Sequence, residues 1–238
     1  MRVWACLLCL SIITCSACSG APAVKAPPSA HALSSALYPV REVRIVILAP
    51  DAGDLLAIEK LVREGSEELS AQVGISLRIV GWRQIRWQSD NRPGVLREVL
   101  ERMSLYEQPY DMAVGVRGFG LAGFIGYMVY GGWEAVIDDT YRRFIVIRRM
   151  TVQVLLHEVC HAFLLSETHT WGIRHLMTPV TFYVIPGIMP LNRSTHLNKK
   201  DREEIIRNKW RDFSGILNLP RSQVSDPLDP VRQVREDR

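Results

Sequence analysis

Within HEVCHAFLLSETH, residues 157–169, two histidines stand four apart and a glutamate directly follows the first. In a helix, residues i and i+4 share a face, so the His157 and His161 imidazoles can reach one ion. Glu158 then lies about 100° round the helix, too far to ligate the same ion easily but within reach of a water beside it. The preceding TVQVLL, residues 151–156, is an apolar helical run with Thr151 as its N-cap. Just upstream, YRRFIVIR (residues 141–148) reads as a strand. A strand feeding an apolar helix with this spacing favours a built metal centre over an exposed helix carrying two incidental histidines.

Working outward, the body alternates strands and helices. VRIVILA (residues 43–49), apolar and rich in β-branched residues apart from Arg44, reads as a strand buried on both faces. Asp54 is placed to cap a helix reaching about Ala71, with Leu55, Ile58, Leu61, Val62 and Leu69 on its apolar side. Residues 75–82 form a second strand, Pro93 opens a shorter helix through Met103, and YDMAVGVR (residues 110–117) is a third strand. GFGLAGFIGYMVYGG, residues 118–132, suits an irregular strand with close backbone approach better than a helix. After the HEVCH helix comes a long loop, and Asn198 caps a last helix through about Trp210. This order implies an α/β fold, one mixed twisted sheet covered by helices.

The two ends differ in composition from the body. Residues 1–17 carry one early cation and an apolar run, which predicts a signal peptide too short to span a membrane comfortably. Small residues before Cys18 resemble a bacterial lipoprotein box, with Cys15 as a second candidate for the lipidated residue. Residues 18–38, rich in Ala, Pro and Ser, read as a flexible tether. The domain is expected over residues 39–213, with a frayed tail over 214–238. The expected location is the bacterial cell envelope, held to a membrane by an N-terminal lipid, or otherwise secreted. Of five cysteines only Cys160 lies in the body, so no internal disulfide is possible there; Cys160 reads as a small buried apolar residue. The net charge of +4 has no basic block, which gives no reason to expect a nucleic-acid partner. The expected state is a monomer.

From HEVCH on its helix, the order of elements before it, and HLMTP at residues 175–179, the chain resembles the metzincin clan of zinc metalloproteases, most of all matrixin-type catalytic domains. LNKKDREEI, residues 197–205, resembles the last helix of those domains. The resemblance spans about residues 40–213 and implies one catalytic Zn2+, ligated by His157 and His161, with Glu158 as general base and Met177 in the Met-turn beneath the metal. It also implies a protein or peptide substrate lying extended along a sheet edge within residues 118–132.

The chain departs from that pattern after the second histidine. The family's helix-ending glycine is replaced by Leu164, and its third histidine position holds Glu167; the next histidine, His169, comes two residues late. A side chain at Leu164 makes a left-handed stop costly. A later exit through residues 166–168 then supplies the two extra residues, which favours His169 as third ligand, with Glu167 as the alternative. His175 and His196 are ligands in principle but read as ordinary loop groups. Pro179 stands where some metzincins carry a metal-switch tyrosine. Tyr127, Tyr130 and Tyr183 are open candidates for a phenol near the oxyanion. The expected activity is zinc-dependent endopeptidase, and the competing reading is a degenerate lipoprotein that binds peptide or an envelope partner without cleaving it. The retained Glu158 favours hydrolysis, since a binding module needs no general base.

Overall fold

The computed structural model describes residues 39–50, 54–118, 127, 132–166, 174–178, 183–185, 189–190 and 194–217. The leader, the tether, Cys15, Cys18, most of the glycine-rich stretch, Tyr130, Glu167, His169, Pro179 and most of the tail lie outside them. Among the described residues the elements are β1 (Arg41–Ala49), α1 (Leu55–Val73), β2 (Ile75–Gln84), α2 (Arg92–Met103), β3 (Met112–Val116), β4 (Ala135–Ile137), β5 (Phe144–Ile147), α3 (Val152–His161), β6 (Tyr183–Ile185), β7 (Met189–Pro190) and α4 (Lys199–Asn208).

Five strands form one sheet in the order β2-β1-β3-β5-β4. The first four are mutually parallel and β4 closes the edge antiparallel to β5. This is the mixed α/β sheet expected from the sequence. Alternate residues of each strand feed two cores on opposite faces. Val43, Ile45 and Ile47 of β1 pack with Val114, Ile145 and Ile147 beneath α1, α3 and α4. Val46 and Leu48 pack with Ala113 and Val146 against Val95, Val99 and Met103 of α2. From Ile45 to Ala49 both faces of β1 are therefore dry, which explains the unbroken apolar run there.

α1 and α3 lie side by side on the first face. Gly65 of α1 allows that approach, since a Cβ there would sit 3.3 Å from Leu155 Cδ2 and 3.4 Å from Leu156 Cδ2. α1 runs two residues beyond the sequence expectation because Gly74, with φ of 65°, supplies the left-handed stop that Ala71 cannot. Its Asp54 starts the helix without a side-chain capping bond, unlike Asn91, Thr151 and Asn198 at α2, α3 and α4. The strand β4 was not expected. Among the described residues no helix is long and apolar enough to cross a membrane.

Candidate metal centre

Thr151 leaves the sheet in extended conformation and its side chain accepts a hydrogen bond from the Val154 amide at 3.3 Å, starting α3 one turn before the histidines. Leu155, Leu156 and Val159 are fully buried and fix the rotation of the helix, each contributing roughly 1.5–3 kcal/mol. With that face inward, His157 and His161 emerge on one partly buried side. Their ring centroids are 4.7 Å apart at 80°, and their Nε2 atoms are 3.1 Å apart.

The turn that follows sets the tautomer. His157 Nδ1 lies 2.9 Å from the Leu176 carbonyl oxygen, so it donates there and leaves Nε2 as a lone-pair donor. Leu176 is held in turn by donating its amide to the His196 carbonyl at 2.8 Å. Met177 is buried to 1% exposure beside it, in the core that contains α3, and the Thr178 hydroxyl donates to the His175 carbonyl at 2.9 Å. Two imidazole nitrogens sharing a tetrahedral zinc ion at about 2.0–2.1 Å would stand about 3.3 Å apart. The observed separation and the tied Nδ1 fit such an ion. Among the described residues no group of three His, Cys, Asp or Glu side chains could hold a metal by itself. His169 and Glu167, the expected third ligands, lie outside them.

Glu158 is 8% exposed. Burial pushes its carboxyl up to about 8; the Arg92 guanidinium pulls it down and Asp139 pushes it further up. Cys160 is fully buried, and burial followed by the Asp201 charge drives its thiol well above the usual range. It belongs to the core packed between α3 and the sheet. His175 and His196 each have a buried Nδ1 with no hydrogen-bond partner among the described residues. Burial, the Arg202 charge and His175 hold His196 below the ordinary imidazole range. The Tyr127 hydroxyl donates to Glu134, which also accepts from Arg149 Nη1 at 3.1 Å.

α3 ends at His161, earlier than the expected exit through residues 166–168. The last α-type bond runs from the Leu164 amide to the Cys160 carbonyl at 3.0 Å, and Leu164 does not adopt positive φ. Instead, side chains from elsewhere take the final carbonyls. Arg142 Nη1 donates to Leu164 O and, at 3.4 Å, to His161 O. Arg211 Nη1 donates to Ala162 O, and Asn208 Nδ2 to Phe163 O at 2.8 Å. The two guanidiniums complement the negative end of the helix dipole. Burial, then the neighbouring Arg142, lowers Arg211 to about 10, which still leaves it charged at neutral pH. Arg142 itself has a left-handed φ of 48°, imposed by Asp138. That carboxylate accepts from the amides of Tyr141 (2.6 Å), Arg142 (3.2 Å), Arg143 (2.9 Å) and Phe144 (2.7 Å). None of these residues was singled out from sequence; the only local signal is an aspartate four residues before an arginine pair.

No family model matches this chain, and no curated protein matches it. Among solved structures it is similar to archaemetzincin from Methanopyrus kandleri, with a TM-score of 0.49 and 15% identity over 71% of this chain and 97% of that one. It is also similar to a chain in the structure of a chaperone–substrate complex, with a TM-score of 0.43 and 14% identity over 71% of this chain and 34% of that one.

Proposed function

We propose that the chain is a zinc-dependent endopeptidase of the metzincin kind. The observation that carries the reading is the pair of convergent Nε2 atoms 3.1 Å apart on α3, with His157 Nδ1 committed to the Leu176 carbonyl. His157 and His161 would hold the metal, with His169 as the third ligand and Glu167 as its alternative. Bound there, zinc would supply a Lewis acid for the scissile carbonyl and an acidified water. The Glu158 carboxylate takes a proton from the attacking water and returns it to the leaving amine. Peptide would lie extended along a sheet edge, bound by backbone hydrogen bonds; the stretch expected to form that edge, residues 118–132, lies mostly outside the described residues, and Tyr127 within it is helical.

Glu158→Ala should keep zinc and lose casein hydrolysis, because a base is removed and no ligand is. Equal hydrolysis by both proteins would refute the mechanism. A zinc-loaded wild type that cleaves nothing would favour the binding lipoprotein instead. We further propose that residues 1–17 direct export and that Cys18, or Cys15, carries the lipid that anchors the protein. Cys18→Ser should release it from the membrane; a soluble wild type insensitive to globomycin would indicate plain secretion.

A further inference from the structure

One buried side chain stands behind the bond that orients His157. Gln72 lies in the last turn of α1 at 3% exposure. Its Nε2 donates to the Thr195 carbonyl at 2.7 Å and to Glu68 Oε1 at 2.9 Å, while its Oε1 accepts from the Leu197 amide at 2.8 Å. Two acceptors on one side and a donor on the other fix which way the amide faces. The backbone is thereby gripped on both sides of His196. The His196 carbonyl accepts from the Leu176 amide at 2.8 Å, and the Leu176 carbonyl accepts from His157 Nδ1 at 2.9 Å. A short series of hydrogen bonds thus runs from α1 to the imidazole.

The same helix carries α3. Gly65 admits Leu155 and Leu156 of α3, and Gly65 and Gln72 are seven apart, two turns and about 10 Å along one face of α1. That face therefore sets both partners of the His157–Leu176 bond. At Gly65 it seats the helix bearing the imidazole, and at Gln72 it holds the segment that fixes the carbonyl. From this geometry we infer that Gln72 is a positioning residue for the metal centre, keeping the Leu176 carbonyl on His157 Nδ1 and the Nε2 lone pair free for the ion. The inference rests on the zinc-site reading above. Only an amide suits the place. A carboxylate would turn oxygen toward the Thr195 carbonyl and Glu68, and an apolar side chain would leave the Thr195 carbonyl and Leu197 amide without these bonds.

The test uses the full mature chain, with zinc alone as the metal probe and the histidine imidazoles read by NMR. In the metal-free wild type, the His157 signal, assigned by its loss in His157→Ala, should show a single tautomer with a slowly exchanging proton on Nδ1. Gln72→Met keeps the length of the side chain and removes its hydrogen bonds. It should mix the two tautomers, speed exchange of that proton, and lower zinc affinity about 10-fold by chelator competition, the low end for loss of a ligand-orienting partner. Val95→Ala hollows the core on the opposite face of the sheet, so it should lower stability and leave the His157 signal and zinc affinity unchanged. A measurement on wild type needs no variant: the Leu176 and Leu197 amides and the His157 Nδ1 proton should become exchangeable together, as one opening unit. If Gln72→Met keeps the wild-type tautomer and zinc affinity, or if the wild-type Leu197 amide opens while the His157 proton stays protected, the positioning role is overturned and the metal site stands. If His157→Ala binds zinc as wild type does, both readings fall.

Discussion

Glu158→Gln in the metal-free protein should reverse part of a stability loss that wild type suffers as pH rises. The buried carboxyl is raised from 4.5 to about 8 in the folded chain. Between those values the folded state holds a proton that the unfolded state has released. Unfolding free energy then falls by about 1.36 kcal/mol per pH unit, and the stabilisation present below about pH 4.5 is lost as pH climbs toward the folded value. From about pH 5 to about pH 7.5 the accumulated loss is about 3 kcal/mol, a large share of a typical domain's 5–15 kcal/mol. Glutamine has the same shape and no proton to lose, so its stability should stay level relative to wild type. Urea unfolding followed by tryptophan fluorescence at the two pH values, after chelator treatment, gives the comparison. Saturating zinc should flatten the wild-type trend, because a dication beside the carboxylate favours its ionised form. Parallel pH profiles for the two metal-free proteins would refute the burial argument.

Arg142→Met keeps the apolar stem but removes the donor to the Leu164 carbonyl, and should cost about 1.5–3 kcal/mol, measured as a lowered Cm in urea. Cys160, fully buried with its thiol pushed up by burial, should resist iodoacetamide in the native protein at pH 8 and react fully in denaturant; native labelling as fast as a free thiol would place it at the surface.

The sheet was readable because burial on both faces leaves a plain mark. Residues 43–49 are apolar except Arg44, and the described strand occupies Arg41–Ala49. β4 escaped because it is three residues long, half-buried, and set between Glu134 and Asp138, so no alternation has room to show. Its flanking acids serve other purposes, Glu134 in binding Arg149 and Asp138 in folding the turn into β5. The histidine pair was legible for a different reason. A spacing of four on a helix with one apolar side fixes the relative direction of two side chains regardless of what surrounds them.

The end of α3 shows where local rules stop being informative. A helix stop is ordinarily read from a glycine or asparagine within a residue or two, and Leu164 offers neither. The orphan carbonyls must still be satisfied, since a buried acceptor without a partner costs about 1–3 kcal/mol. Here the donors come from Arg142, Asn208 and Arg211, between 19 and 49 residues away in the chain. Nothing in HAFLLS can announce them. The substitution has a physical consequence beyond capping. A glycine stop leaves the exit independent of the rest of the fold, whereas these donors tie it to the β4–β5 turn on one side and to α4 on the other. The segment that follows the two histidines therefore starts from a point set by distant packing, and disturbing α4 should be felt at the end of α3 sooner than sequence distance suggests.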